Sequence, residues 1–211
     1  MKTEQRLTIK RSFLDNYKRE LHLHSDFIKF EDKDLVNDGF TSFKANEIKE
    51  FSYGMTLYQH YFVFGREYQI LIRNFDGKTL KIKFTSYFGI KKNKVHELYS
   101  EIINSVWDLY FKEKTMAFIR DFEKGESFYI GDVVVNPEGV IIEVSKLLKQ
   151  EKKLILWNDV GIRKFTTYIS IYSIENPLDF NRGYSYKEDW NTFVLYNVIK
   201  NIIANKNIKN D

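Results

Sequence analysis

Hydrophobic periodicity changes three times along this chain, and the order of those changes restricts the fold more than any single motif. Ile70 and Ile72, then Leu80, Ile82 and Phe84, alternate with polar residues, the period of a half-buried strand. From about Val95 to Phe118 the apolar positions Leu98, Ile102, Val106, Leu109 and Tyr110 step by three and four, which predicts an amphipathic helix. A second helix is expected over about Glu188–Asn205, with Phe193, Tyr196, Ile199 and Ile203 on one stripe. Asn74-Phe75-Asp76-Gly77 separates the alternating runs, and its Asp-Gly supplies the positive φ of a tight hairpin turn. The order is strands, helix, strands, helix. A strand set followed by one striped helix buries that stripe against the sheet. The class expected is α+β, with each half a bent antiparallel sheet or partial barrel closed by its C-terminal helix.

The repeated order points to duplication, and three short matches keep the same sequence order. Leu98-Tyr99-x-x-Ile102-x-Asn104-x-Val106 returns as Leu195-Tyr196-x-x-Ile199-x-Asn201-x-Ile203. Asn46-Glu47-Ile48 returns as Asn158-Asp159-Val160, and Val36-Asn37-Asp38-Gly39-Phe40 as Val135-Asn136-Pro137-Glu138-Gly139-Val140. The division expected is an N-terminal segment over 1–24, a first unit over 25–118 and a second over 119–211. In the N-terminal segment Leu7, Leu14, Tyr17 and Leu21 read as one stripe of a short helix.

Asn136-Pro137-Glu138-Gly139-Val140-Ile141, Leu156-Trp157-Asn158-Asp159-Val160 and Tyr168-Ile169-Ser170-Ile171-Tyr172 resemble the bacterial pleckstrin-homology-like (PH-like) domains. Those show a glycine turn, a W-x-D-I segment, alternating strands and a C-terminal helix. The first unit is similar but has Lys44-Ala45-Asn46-Glu47-Ile48 where the tryptophan segment belongs. The second departs over Glu175–Lys187, which reads as short and irregular where two strands are expected. The resemblance implies two tandem PH-like units over about residues 25–205 and a binding or scaffolding role, and it brings no catalytic residues.

Composition narrows the chemistry. Of 211 residues, 43% are hydrophobic and 17% aromatic, enough for a packed core. No run of about 18 apolar residues exists to span a membrane. The first residues carry no secretory pattern. Cysteine is absent, which excludes disulfides, thiolate zinc sites and cysteine nucleophiles. The expected location is cytoplasmic. There is no G-x-S-x-G, no phosphate-binding loop and no dinucleotide fingerprint, and Gly125-Glu126-Ser127 lacks the second glycine. Asp32 and Asp34 lie in a charged run that reads as a solvated turn. His22, His24 and Asp26 share one face of a strand in the residue types of a zinc set. Two histidines spaced by two are common on solvated strands, and no fourth ligand lies nearby, so no metal is expected; His60 and His96 are isolated. No enzyme activity, catalytic residue or cofactor is expected.

The sharpest feature is basic. Lys78, Lys81, Lys83, Lys91, Lys92 and Lys94 fall within 17 residues that contain no acid, with Tyr87 and Phe88 interleaved. Such a segment suits lipid headgroups or a nucleic-acid backbone. The plainer reading is an edge strand guarded by lysines and a solvated loop. The acidic stretch Glu20–Asp38 places opposite charge on the same molecule, which favours protein contacts or self-association. Tyr168, Tyr172, Phe180, Tyr184, Tyr186 and Trp190 line either a groove or the core. The expected function is a non-enzymatic intracellular binding or scaffolding module for another protein. The alternative is peripheral binding to anionic membrane or nucleic acid through Lys78–Lys94.

Overall fold

The computed structural model describes residues 4–12, 14–32, 39–60, 62–146 and 149–206. The chain divides into two compact units, 1–112 and 113–211, so the boundary falls inside the first long helix. Each unit is α+β with two open antiparallel sheets, the first unit carrying one helical segment and the second the continuation of that segment and a C-terminal helix.

In the first unit, β1 (Gln5–Ile9), β2 (Arg19–His24), β3 (Phe27–Glu31) and β4 (Phe40–Lys44) pair in chain order. After a turn over Ala45–Glu47, β5 (Ile48–His60), β6 (Val63–Asn74) and β7 (Thr79–Tyr87) form a three-stranded sheet in the same manner. Alternation buries Leu21 and Leu23, Ile28 and Phe30, Ile70 and Ile72, and Leu80, Ile82 and Phe84. Each such side chain contributes on the order of 2 kcal/mol when fully buried. The helix expected over 1–24 is replaced by two strands. Leu21 and Leu23 alternate with Glu20 and His22, and that period of two prevails over the coincidental helical spacing; Leu14, expected on the helical stripe, is 73% exposed.

The β6–β7 turn forms at Asn74–Gly77, as its sequence predicts. Gly77 has φ of 81°, and the Asn74 side-chain oxygen accepts from the Lys78 amide at 2.8 Å. Asn37 and Asp38, expected at the matching turn before β4, lie outside the described residues.

The first long helix is α1 (Lys92–Val106), a π turn over Trp107–Phe111, and α2 (Lys112–Glu123). Tyr99, Ile102 and Val106 are buried, and the wider π turn carries the buried stripe on to Tyr110 and Phe111. Leu109, expected on the stripe, is left outside, and Leu98 is half-buried. The Tyr110 hydroxyl lies 2.9 Å from the His24 carbonyl and 2.8 Å from that of Phe27, tying the helix to the β2–β3 turn.

In the second unit, β8 (Phe128–Ile130), β9 (Val133–Val135), β10 (Gly139–Lys146) and β11 (Lys149–Leu156) form one sheet, again in chain order. The other is β12 (Val160–Lys164), β13 (Tyr168–Ser173) and β14 (Asn181–Ser185). β14 corrects the irregular reading of Glu175–Lys187; its backbone pairs with Tyr168–Tyr172 although its sequence lacks alternation. α3 spans Thr192–Asn205 and starts later than expected, because Asp189 accepts the Ser185 amide at 2.7 Å and holds a turn there.

The inner face of α3 carries Val194, Leu195, Val198, Ile199, Ile202 and Ile203. Phe193 and Tyr196 sit at its rim, half-buried, with the Lys164 ammonium 5.3 Å and 5.4 Å from their rings. At the Asn136–Gly139 turn, the Asn136 side-chain oxygen accepts the amides of Glu138 and Gly139, and the Trp157 indole donates to the Asn136 carbonyl at 2.9 Å. Asp159 accepts from the Ser173 hydroxyl at 2.6 Å and the Glu175 amide at 2.7 Å. The tryptophan segment is thus a set of turn locks.

Candidate binding site

The pleat of β7 divides the lysine segment. Leu80, Ile82, Phe84 and Ser86 face the core, and Lys81, Lys83, Thr85 and Tyr87 face outward. All six lysines are exposed, but they do not converge. Lys78 precedes β7, whereas Lys91, Lys92 and Lys94 follow its far end. The nine residues of β7 place those two ends about 30 Å apart at ~3.3 Å per residue. Lys83 reaches the Glu67 carboxylate at 3.9 Å. β7 is an edge strand, and the Thr85 amide donates to the Arg11 carbonyl at 2.7 Å, so part of that edge is covered. Lys81 and Lys83 therefore stand on the outer face of an edge strand, away from the other lysines.

Tyr87 and Phe88 belong with a different group. Gly65 pairs with Tyr58 on one side and Tyr87 on the other, and those two rings meet edge-on at 6.1 Å. A side chain at position 65 would press on the Ser86 carbonyl and the Tyr87 backbone, so glycine permits the close strand approach. Phe88, at φ of 52°, sets its ring edge-on to Phe64 at 5.5 Å. Leu57, Tyr58, Phe62, Phe64, Phe88 and Ile90 are all exposed at this end of the sheet. A cavity of about 330 Å³ opens there, lined by Leu57, Gln59, Phe64, Arg66, Ser86 and Lys92 among others. Sequence reasoning missed this hairpin end. Its signal is the run from Leu57 to Phe64, where apolar residues occupy both strand parities and so cannot all face one core.

The second unit carries a groove on the outer face of β12–β14, with a cavity of about 400 Å³. Its floor is small at Ser170 and Gly183, which are paired across β13 and β14. Tyr172 and Tyr168 stand on either side of Ser170 along β13, with Arg163 beside it on β12. The Tyr172 ring lies directly over Gly161, where any Cβ would collide with it. Tyr168 stacks on Phe165 with centroids 4.5 Å apart and planes 13° apart. The Ser170 hydroxyl donates to Asn181 at 2.8 Å. The aromatic stretch therefore splits. Tyr184 and Tyr186 are core residues, and burial raises both phenol pKa values, that of Tyr186 to about 12. Tyr168 and Tyr172 line the groove, Phe180 and Trp190 are half-buried, and Phe165 joins the groove from outside the stretch singled out in the sequence.

The histidine set is engaged otherwise. The two ring nitrogens of His22 meet Glu4 at 2.7 Å and Glu20 at 2.9 Å, and the Glu4 carboxyl is held below its usual range by its bonds to Arg6 and His22. His24 accepts the Asp26 amide at 3.2 Å. Among the described residues no group of three or more His, Asp or Glu side chains is placed to hold a metal. Asp32 accepts from the Thr41 hydroxyl, and Asp34 lies outside the described residues. No helix among the described residues is long and apolar enough to cross a membrane. Comparison with protein-family models, with curated proteins and with solved structures returns no match.

Proposed function

We propose that this protein is a non-enzymatic intracellular binding or scaffolding module of two tandem PH-like units, and that the groove on β12–β14 holds an extended segment of a partner protein. The tandem reading is supported by the repeated series of a four-stranded sheet, a three-stranded sheet and a helix. The role of the Trp157–Asp159 segment as turn locks agrees with it.

The partner reading rests on the groove. Tyr168 and Tyr172 are four residues apart on β13, about 13 Å at ~3.3 Å per residue, which matches roughly four residues of extended chain. Aromatic walls over a small-residue floor grip such a chain through flat apolar contact, and Arg163 offers a charged contact at the side.

The test is selection of peptides from a random phage-displayed library, with affinities then measured by calorimetry. Selected peptides are expected to lose ~10-fold or more in affinity to Tyr168→Ala or Tyr172→Ala, as for aromatic anchors generally. Peptides that bind both variants as well as the parent protein refute the groove as the site. Light scattering over a concentration series separates self-association from capture of a different chain.

A further inference from the structure

We propose a second binding site on the first unit: the β5–β6 hairpin end, with the start of α1, docks onto an anionic lipid surface. This is independent of the groove on β12–β14. Three observations carry it.

The first is the placement of apolar surface. Phe62 is 93% exposed and Leu57 73% exposed, and Tyr58, Phe64, Phe88 and Ile90 are exposed around them. Scattered exposed apolar residues are ordinary on any protein, but a cluster on one end of a sheet marks an interaction surface. Phe62 lies two residues beyond Phe64, whose carbonyl accepts the Phe88 amide. At ~3.3 Å per residue the hairpin projects about 7 Å further, within the 5–10 Å to which apolar faces settle into a bilayer interface. Aromatic rings are suited to that depth.

The second is charge. Residues 55–66 and 84–96, which build this end, contain no acid, and the nearest in sequence are Glu67 and Glu97 just behind them. Lys91, Lys92 and Lys94 follow directly on the exposed Phe88 and Ile90. An apolar tip ringed by one sign of charge is complementary to a surface that is apolar beneath and negative at the headgroups. A protein partner places no such demand for uniform sign.

The third is the cavity behind the tip. Arg66 and Lys92 both line it, and among the described residues neither has an acidic partner. Arg66 is half-buried and lines the cavity. A guanidinium and an ammonium facing a space of about 330 Å³ are suited to a lipid phosphate, bidentate at the arginine.

The experiment exploits the separation of the lysines. Lys91, Lys92 and Lys94 lie at the tip, whereas Lys78, Lys81 and Lys83 lie ~13–30 Å away along β7, beyond the ~8–10 Å range of screened charge. Two triple variants, Lys91→Gln/Lys92→Gln/Lys94→Gln and Lys78→Gln/Lys81→Gln/Lys83→Gln, remove equal charge. A third, Phe62→Ser/Phe64→Ser, removes apolar tip surface. Each full-length protein is sedimented with vesicles of phosphatidylcholine alone or with about one-third phosphatidylserine. The parent protein is expected to bind only the anionic vesicles. The tip lysine variant is expected to lose roughly 100-fold in partitioning, the tip aromatic variant ~10-fold or more, and the remote lysine variant less than about 3-fold. Thermal unfolding of all three is expected to match the parent, because the altered side chains are exposed. The proposal is overturned by no binding to anionic vesicles, by equal loss from the two lysine variants, or by equal binding to neutral vesicles. It is also overturned if vesicles are not bound while the tip variants abolish single-stranded nucleic-acid binding or dissociate a dimer, which would assign the tip to those partners.

Discussion

Replacing Tyr110 by Phe removes one oxygen and leaves the ring in place, so it isolates the bond between helix and β2–β3 turn. The side chain is 4% exposed, and its hydroxyl reaches two carbonyls, those of His24 and Phe27. A hydroxyl has one proton, so one donated bond is lost and two carbonyls are left poorer. The cost at neutral pH is ~1–2 kcal/mol, one net hydrogen bond plus part of a desolvation penalty. Alkaline pH supplies a second, opposite signal. Burial raises the Tyr110 phenol well above its ordinary pKa of 10.0, so the folded protein keeps the proton that the unfolded chain releases. The protection is complete below about pH 10 and is lost as pH rises toward the folded value. At pH 11 the parent protein pays ~1.4 kcal/mol for this one group, and the Phe variant pays nothing. Urea unfolding at pH 7 and pH 11, followed by far-UV circular dichroism, is therefore expected to show a gap of ~1–2 kcal/mol that shrinks to below ~0.6 kcal/mol. A gap that is absent at pH 7, or unchanged at pH 11, refutes the reasoning.

Other perturbations test other parts of the fold. Ile102→Ala and Ile199→Ala each empty a fully buried position on a closing helix and are expected to cost ~2–5 kcal/mol in the same urea assay. Gly139→Ala places a Cβ against the Ile155 carbonyl of the neighbouring strand, and loss of soluble folded protein is expected on expression. Gly161→Ala meets a movable ring, that of Tyr172, so the fold is expected to survive while groove-selected peptides bind more weakly by calorimetry. The Arg19 guanidinium, 2.5 Å from Asp15, holds the Asp15 carboxyl below its usual range. Its contribution is present above the ordinary carboxylate pKa and is lost as pH falls through the folded value, so Asp15→Asn is expected to flatten the acid limb of the thermal-stability profile.

Much of the frame was legible because both faces of its elements are distinct. Ile70, Ile72, Leu80, Ile82 and Phe84 alternate cleanly, and the Asn74–Gly77 turn between their strands uses Gly77 for the positive φ it requires and Asn74 for its side-chain bond. Ile102 and Ile199 fall where helical spacing puts them. The N-terminal strands were masked by Leu7, Leu14, Tyr17 and Leu21, whose spacing fits a helix by chance. β14 was hidden because Asn181-Arg182-Gly183-Tyr184-Ser185 buries only Tyr184, and its place is set by pairing with β13. The π turn has no sequence mark, so Leu109 was placed on the wrong side. The lysine segment was visible as composition, but its split into two remote groups is a property of the length of β7. The groove on β12–β14 depends on Arg163, Ser170 and Gly183 coming side by side from three strands, which no local pattern reveals.

In all four sheets each strand pairs with the strand next to it in sequence. Short loops close quickly and cheaply, so each sheet can zip hairpin by hairpin as the chain leaves the ribosome. The helix arrives afterwards: Tyr110 must find carbonyls 83 and 86 residues upstream. Sheets that form before the helix would leave an apolar face uncovered, the kind of surface that sticks to other chains. Folding yield during synthesis is therefore expected to depend on how soon α1 and its π turn emerge after β7.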